Sequence, residues 1–196
     1  SLGLTEKAHG GDLLHCDVSA VKTADGFLLS GEKWLINNAT RGTTICVFAR
    51  THPDGNSRGF SLFLVEKRKI GSAFTCLPRI RTLGIRGADI SGIRFDEAPL
   101  SNDALVGPLG HGLEIALKSL QVTRTMCSGL SLGAADTALR STLKFALARQ
   151  LHNVVVSEIP YVQRQLVNAW IDVVICECAA IAATRLLHVI PAEMSV

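Results

Sequence analysis

The chain has 196 residues, enough for one large domain or two small ones. Hydrophobic residues make up 47% of the sequence and charged residues 19%, so the chain can bury a core and is not intrinsically disordered. Aromatic residues reach only 5%, and the formal net charge is +3. These values argue against a nucleic-acid-binding protein, which needs a basic stripe or an aromatic stacking platform.

The first half of the chain has the pattern of short β-strands separated by turns. The clearest turn, Ala24-Asp25-Gly26, lies between two apolar segments and predicts a β-hairpin. The predicted strands cover residues 14–22, 27–35, 44–49, 60–65, 75–81 and 90–96. Because no helical pattern separates these segments, they predict an antiparallel barrel or sandwich.

The second half changes to helical periodicity. Residues 111–151 contain no proline and predict one long helix, which either breaks near Gly129 and Gly133 or packs its end on another subunit. A second predicted helix covers residues 161–190. The fold class is therefore α+β, with long helices after the strands, and the two predicted domains cover residues 1–108 and 109–196.

Neither a targeting segment nor a membrane span is predicted. The first seven residues lack a basic region followed by an apolar run, and the most apolar stretch, 166–190, carries Asp172, Glu177 and Arg185. Six cysteines without a C-x-x-C pair argue against zinc or a disulfide framework, and predict reduced, mostly buried thiols. We therefore expect a soluble, cytoplasmic protein with no metal site.

Common catalytic and nucleotide-binding motifs are weak or missing. The segment Gly107-Pro-Leu-Gly110-His-Gly112 lacks the order and context of a dinucleotide fingerprint, and predicts a turn that leads into a helix. The sequence has no G-x-S-x-G and no H-E-x-x-H motif, and its six histidines are scattered. Hydrolase and metalloenzyme chemistry are therefore not predicted.

Several ordinary segments nevertheless follow a familiar order. They are Leu4-Thr5-Glu6 with Gly10-Gly11-Asp12, Gly31-Glu32-Lys33-Trp34-Leu35-Ile36-Asn37-Asn38-Ala39, Gly59 to Val65, Leu83 to Gly87 with Ile93 to Asp96, Leu105 to Gly112, Arg124, and Ala148-Arg149-Gln150. Together these segments, which cover nearly the whole chain, resemble the acyl-CoA dehydrogenase family.

This resemblance implies both a fold and an activity. The family has an amino-terminal helical domain, a middle β-barrel and a carboxy-terminal helical bundle, and it uses FAD to oxidise the Cα–Cβ bond of an acyl thioester. The chain would contribute the middle barrel over 1–108 and a partial helical bundle over 109–196. Implied partners are an acyl-CoA or acyl-carrier thioester, an electron-transfer flavoprotein, and further copies of the chain in a homodimer or homotetramer.

The resemblance also assigns cofactor residues. Thr5 takes the place of a threonine that contacts the isoalloxazine ring, and Gly11 that of a serine that contacts both flavin and pantetheine. The family's W-I-T segment falls on residues 35–37, so Trp34 lies one residue early and points to the opposite face of a strand. The implied FAD contacts are Leu4, Thr5, Gly11, Leu35, Ile36, Asn37, Arg149 and His152, the last two toward a neighbouring subunit's FAD.

Substrate residues are implied by the same alignment of motifs. They are Gly11, Gln121, Thr123 and Arg124, with Arg124 as an anchor. Thr123 stands where some family members carry the catalytic glutamate, and a threonine cannot remove an α-proton. No catalytic residue is therefore assigned in this chain. A flavin-dependent monooxygenase of the same fold and a non-catalytic subunit or fragment remain alternatives.

Overall fold

The structure, a computed structural model, describes residues 1–54 and 56–187. It divides into two compact parts, unit 1 (Ser1–Lys118) and unit 2 (Ser119–Val196). Its elements in chain order are β1 (Leu2–Gly3), β2 (Ser19–Lys22), β3 (Gly26–Asn37), β4 (Thr44–Arg50), β5 (Phe60–Glu66), α1 (Lys67–Ile70), β6 (Phe74–Cys76), β7 (Ile90–Ser101), β8 (Leu105–Val106), α2 (Gly112–Ala148), β9 (Gln150–Leu151), β10 (Val154–Val155) and α3 (Pro160–Leu187).

Unit 1 is organised around one eight-stranded sheet. Its strands follow the order β6-β7-β3-β2-β4-β5-β8, and β1 pairs with β4. The long strands β3 and β7 are antiparallel, as are β4 and β5, whereas β1 and the first residue of β2 run parallel to β4. The α+β class is therefore confirmed, with strands in the first half and long helices after them.

The core of unit 1 is formed by the inward residues of these strands. Phe27 and Phe63 meet edge to face, with ring centroids 4.9 Å apart, and both are almost fully buried. Around them pack Val18, Leu29, Ile36, Ile45, Val47, Val65, Ile93 and Phe95. The predicted hairpin is confirmed, because β2 and β3 pair from Ser19↔Ser30 to Lys22↔Phe27.

Two predicted strands are shorter than expected. Over residues 14–22 the chain first forms a 3₁₀ turn, Leu13–His15, and the N–H groups of Asp17 and Val18 then donate to the Glu6 carboxylate. Those bonds replace ladder bonds, so the strand begins only at Ser19. Over residues 75–81 the strand ends at Cys76, although the Leu77 and Ile80 N–H groups still donate to the Gly92 and Ile90 carbonyl oxygens of β7 at 2.9 and 2.8 Å.

Helix α2 begins within one residue of the predicted start at 111, but it ends at Ala148, and residues 150–151 of the predicted helix form strand β9 instead. Gly110 has a φ of +81°, and its N–H donates to the Ser61 hydroxyl at 2.9 Å. A Cβ on Gly112 would lie 2.5 Å from the Ser61 backbone, so only glycine fits there. The helix then continues unbroken for 37 residues through Gly129 and Gly133, so the first of the two alternatives, a break at these glycines, is wrong, and packing of the helix end on another subunit stays a prediction.

Helix α3 confirms the second predicted helix over the described residues, and positions 188–190 of that prediction lie outside them. Within residues 1–54 and 56–187 it alone is long and apolar enough to cross a membrane by length and composition. Its most apolar window has a mean hydropathy of 1.8, and none of that window is buried. The core helix of a soluble protein satisfies the same length and composition test. The expected absence of a membrane span stays a prediction.

The six cysteines are all free, as expected. Their predicted burial is mostly wrong: Cys16 is buried and Cys46 is half-buried, but Cys76, Cys127, Cys176 and Cys178 are exposed. The last three lie on α2 and α3, where apolar sequence does not coincide with burial in this structure.

Candidate functional site

Two segments that the resemblance assigns to the flavin lie side by side in unit 1. The Trp34 N–H donates to the Thr5 carbonyl oxygen at 2.8 Å. The Lys33 ammonium donates to the Leu4 carbonyl oxygen at 2.9 Å. The structure therefore joins residues 4–5 to β3 immediately before the 35–37 segment.

A buried ion pair, which the sequence analysis did not single out, underlies this junction. Lys33 is completely buried, and its Nζ lies 2.7 Å from Glu6 Oε1. The same carboxylate accepts the Val18 N–H at 3.1 Å and the Asp17 N–H at 2.6 Å. One signal in the sequence was available: Lys33 follows Phe27 and Leu29 at even spacing along β3, which places a charge on the inward face.

The pKa values of the pair reflect opposing effects. Burial alone would raise the pKa of Glu6, but the hydrogen bond from Lys33, the Asp17 N–H and the Lys33 charge outweigh it and leave that pKa below its ordinary value. Burial lowers the pKa of Lys33, and the Glu6 carboxylate opposes that effect. Each charge is thus held in the interior by the other.

The 35–37 segment contains a β-bulge. The register between β3 and β7 shifts between Lys33 and Ile36, and Leu35 has a φ of +57°. Leu35 is 51% exposed and Asn37 is exposed, whereas Ile36 is buried in the core. Any cofactor contact by Ile36 is therefore left to its backbone, while Leu35 and Asn37 present their side chains outward.

Trp34, next to the bulge, is fixed by close packing. A Cβ on Gly92 would lie 2.7 Å from Trp34 Cε3 and equally close to Leu77 Cδ1. The indole therefore lies directly over the Gly92 backbone, and the Lys7 Nζ lies 5.7 Å from its ring centroid. Trp34 packs on β7 and so does not occupy the outward position of Leu35.

Gly11 lies in an exposed loop with open space around it, so its backbone is accessible. The neighbouring His9 Nδ1 lies 3.0 Å from Asp12 Oδ2, and His9 Nε2 lies 3.5 Å from Asp17 Oδ2. The Asp12 contact raises the pKa of His9. Within residues 1–54 and 56–187 no group of three or more His, Cys, Asp or Glu is arranged to hold a metal ion.

The substrate residues assigned to α2 belong to unit 2. Arg124 lines a groove of about 1270 Å³ between α2 and α3, together with Asp172 and many small or apolar side chains. Gln121 and Thr123 are exposed and do not line this groove. The Thr123 hydroxyl donates to the Leu120 carbonyl within the helix at 3.1 Å. In this structure Arg124 therefore faces the groove apart from Gln121 and Thr123.

Arg149 and His152 lie at a tight hairpin after α2. Strands β9 and β10 pair through Leu151↔Val154, and His152 and Asn153 form the turn with φ of +50° and +63°. Two positive φ values at the central positions are typical of a type I′ turn. Both Arg149 and His152 are exposed.

Three side chains near the junction in unit 1 have the chemistry that an isoalloxazine ring requires. Thr5 supplies a hydroxyl and Asn37 an amide, both able to hydrogen-bond ring nitrogen or oxygen atoms. Exposed Leu35, two residues before Asn37, offers an apolar surface. This donor set is the type that tunes a flavin by hydrogen bonds to its ring.

Comparison with known protein families identifies the class. Residues 1–98 match the model described as "Acyl-CoA dehydrogenase, middle domain", and residues 110–194 match "Acyl-CoA dehydrogenase, C-terminal domain". The chain belongs to the acyl-CoA dehydrogenase family, as the motif order predicted.

Individual relatives agree with this assignment. An acyl-CoA dehydrogenase of Bacillus subtilis is 34% identical over 149 residues, which is 76% of this chain and 39% of that protein. The crystal structure of an acyl-CoA dehydrogenase from Geobacillus kaustophilus has a TM-score of 0.81 at 26% identity, covering 99% of this chain and 50% of that one. Butyryl-CoA dehydrogenase from Megasphaera elsdenii shares the fold, with a TM-score of 0.88 at 23% identity over 97% of this chain and 50% of its own. The chain thus spans about two fifths of the curated relative and half of the solved structures.

Proposed function

We propose that this chain, in its natural full-length polypeptide, takes part in FAD-dependent α,β-dehydrogenation of an acyl-CoA. The observation that carries the proposal is the junction in unit 1. It joins Thr5, on the first loop, to the strand that presents Leu35 and Asn37, and these residues come from distant parts of the sequence. Family membership over both halves of the chain supports the same activity.

The proposed division of labour follows from side-chain chemistry. FAD supplies the acceptor for the hydride that leaves the substrate Cβ. Thr5 and Asn37 hold the flavin ring through their hydroxyl and amide groups, and Leu35 covers it with apolar surface. We assign no residue of this chain as the base that removes the α-proton, since Thr123 is not basic and its hydroxyl is bonded within α2.

The substrate and protein partners are part of the same proposal. The Arg124 guanidinium, which lines the α2–α3 groove, offers a permanent positive charge for an anionic part of an acyl-CoA or acyl-carrier thioester. An electron-transfer flavoprotein is the proposed protein partner that would accept the electrons. The exposed apolar side chains of α2 and α3 support assembly into a homodimer or homotetramer.

The test uses the purified full-length protein and its visible absorbance spectrum. We expect flavin bands that bleach on anaerobic addition of one member of a panel of acyl-CoA thioesters. Bound flavin that no thioester bleaches would contradict the dehydrogenase activity. Folded protein without flavin would contradict the flavoenzyme proposal as a whole.

A matched pair of variants locates the flavin contact. Thr5→Val removes the hydroxyl and keeps the side-chain shape, and it should weaken FAD binding about fivefold, the value of one hydrogen bond near 1 kcal/mol. The control Thr43→Val makes the same change at an exposed threonine before β4 and should leave FAD affinity unchanged. Equal FAD affinity in both variants would exclude Thr5 as a contact.

A further inference from the structure

Leu4, Thr5 and Glu6, in the loop between β1 and β2 (the first loop), are each bonded to one of two consecutive residues of β3, Lys33 or Trp34. The Leu4 carbonyl accepts from Lys33 Nζ, the Thr5 carbonyl accepts from the Trp34 N–H, and the Glu6 carboxylate accepts from Lys33 Nζ again. Lys33 therefore makes two of the three bonds. Its burial leaves no solvent to replace either of them.

We propose that Lys33 and Glu6 are a positioning pair that sets the first loop against β3, so that Thr5 and the 35–37 segment form one flavin-binding surface. The inference rests on the proposed function, because that function gives the two segments a common ligand. Neither residue of the pair touches the ligand, since both side chains lie beneath the surface. Their effect is transmitted through the backbone of residues 4–5 and of the bulge.

The chemistry of the pair favours positioning over simple stabilisation. A buried ion pair contributes little or nothing to stability compared with a well-packed apolar pair, because both charges must be removed from water. What it adds is direction: the ammonium fits only where the Leu4 oxygen and the Glu6 carboxylate both face it. The Glu6 carboxylate in turn accepts the Asp17 and Val18 N–H groups, which fixes the far end of the loop.

The ion pair also holds β3 next to the bulge at residues 33–36. Lys33 is the last residue of the regular β3–β7 register before the shift to Ile36, and Leu35 adopts a positive φ within that shift. Such a conformation is costly for a residue with a side chain and persists only where its surroundings hold it. Lys33, anchored to Glu6 and Leu4, fixes the strand two residues before the strained Leu35.

The test compares two double variants of the full-length protein. Lys33→Met with Glu6→Gln removes both charges and keeps side-chain length, and Gln keeps an acceptor for a backbone N–H. The control is Glu32→Gln with Arg94→Met. It removes an exposed ion pair between β3 and β7, in which Arg94 Nη2 lies 3.0 Å from Glu32 Oε2. Thermal unfolding of the FAD-free forms shows whether each variant folds. Quenching of flavin fluorescence on binding gives the FAD affinity, and the absorption bands of bound flavin show the environment of the ring.

If the pair positions the site, the folded buried-pair variant should bind FAD on the order of tenfold more weakly and shift the flavin absorption bands. The control should match the wild type in both. If the double variant does not fold, Glu6→Asp alone decides: it keeps both charges but shortens the acceptor by one methylene, and it should weaken FAD binding about threefold.

Unchanged FAD affinity and spectrum in a folded buried-pair variant would overturn the inference and leave the proposed function standing. Equal weakening in the control would also overturn it, because the effect would then follow from any lost charge pair on β3. Wild-type protein that binds no FAD would overturn both the proposed function and the inference.

Discussion

Large apolar side chains are buried in the sheet of unit 1 but exposed on the helices of unit 2. In the sheet, Phe48 and Phe63 are fully buried within the chain's own core. On the helices, Leu130 is 77% exposed and Trp170 is 60% exposed, and α3 has no buried residue among those described. The contrast indicates that the sheet completes its core alone, whereas the helices carry apolar faces suited to further contacts.

The sharpest test of this contrast removes one aromatic side chain from each unit. Phe63→Ala should lower the free energy of unfolding by about 3–5 kcal/mol, because it leaves a cavity beside Phe27. Trp170→Ala should change it by less than about 0.5 kcal/mol if its face is uncovered. Urea unfolding of the full-length protein measures both values. A loss at Trp170 as large as at Phe63 would show that another segment or copy covers α3.

Thiol reactivity tests the same contrast without altering the fold. Burial raises the pKa of the Cys16 thiol to about 11. At neutral pH this lowers its thiolate fraction roughly a hundredfold or more below that of an ordinary cysteine. Exposed Cys127 and Cys178 should therefore react first with a thiol reagent, and Cys16 only after unfolding. Mass spectrometry of labelled peptides gives the order, and protection of Cys127 or Cys178 in the folded protein would show a covered helix face.

A smaller change in the free energy of unfolding is expected from the hydrogen bonds that Asp89, just before β7, makes to the loop at residues 40–41. Asp89 Oδ2 accepts the Thr40 hydroxyl, the Thr40 N–H and the Arg41 N–H, and these bonds lower the pKa of Asp89. Asp89→Ala should cost about 1–3 kcal/mol, since the backbone N–H groups lose their partner. Asp103→Ala, an exposed acidic residue, is the control.

The sign of the accompanying pH dependence follows from the lowered pKa. The stabilisation by Asp89 is fully present above the ordinary aspartate pKa and is lost as the pH falls through the lower pKa of the folded state. Acid unfolding curves of wild type and Asp89→Ala should therefore converge at low pH. Curves that stay parallel down to the lowest pH would contradict this assignment.

The smallest expected effect concerns the glycines inside α2. A Cβ on Gly129 or Gly133 would meet nothing within 4 Å, and alanine favours a helix interior by about 0.5–1 kcal/mol. Gly129→Ala should thus raise the free energy of unfolding by that amount if this face is open. A decrease in the full-length protein would reveal a closely packed neighbour at the glycines. Thermal unfolding distinguishes the two results.

The sequence predicts those features that depend on local patterns. Alternating apolar residues and the turn at Gly26 locate β2 and β3, and the absence of proline locates α2. The strand expected over 14–22 failed because a side chain 11 residues away, that of Glu6, takes the Asp17 N–H. A long-range bond of this kind leaves no local pattern in the sequence.

In the candidate site, too, the features set by local sequence motifs could be predicted and those set by the three-dimensional structure could not. The motif order predicted Thr5 and the 35–37 segment, and the structure places them next to each other. It could not predict that Ile36 is buried between exposed Leu35 and Asn37, because the bulge interrupts the alternation of the strand. The cofactor and substrate roles assigned to all of the site residues stay predictions, those of Thr5 and the 35–37 segment as much as those of Gly11, Arg124, Arg149 and His152.

The packing of Trp34 on Gly92 has a consequence for how these two positions can change over evolutionary time. With the indole only 2.7 Å from where a Cβ would lie, position 92 accepts no side chain while position 34 holds tryptophan. A smaller residue at 34 would remove one of the two obstructions, and alanine at 92 would also require the Leu77 side chain, whose Cδ1 lies 2.7 Å from the same point, to turn away. Among relatives, the residue types at 34 and 92 should therefore covary, with bulk at one position matched by its absence at the other.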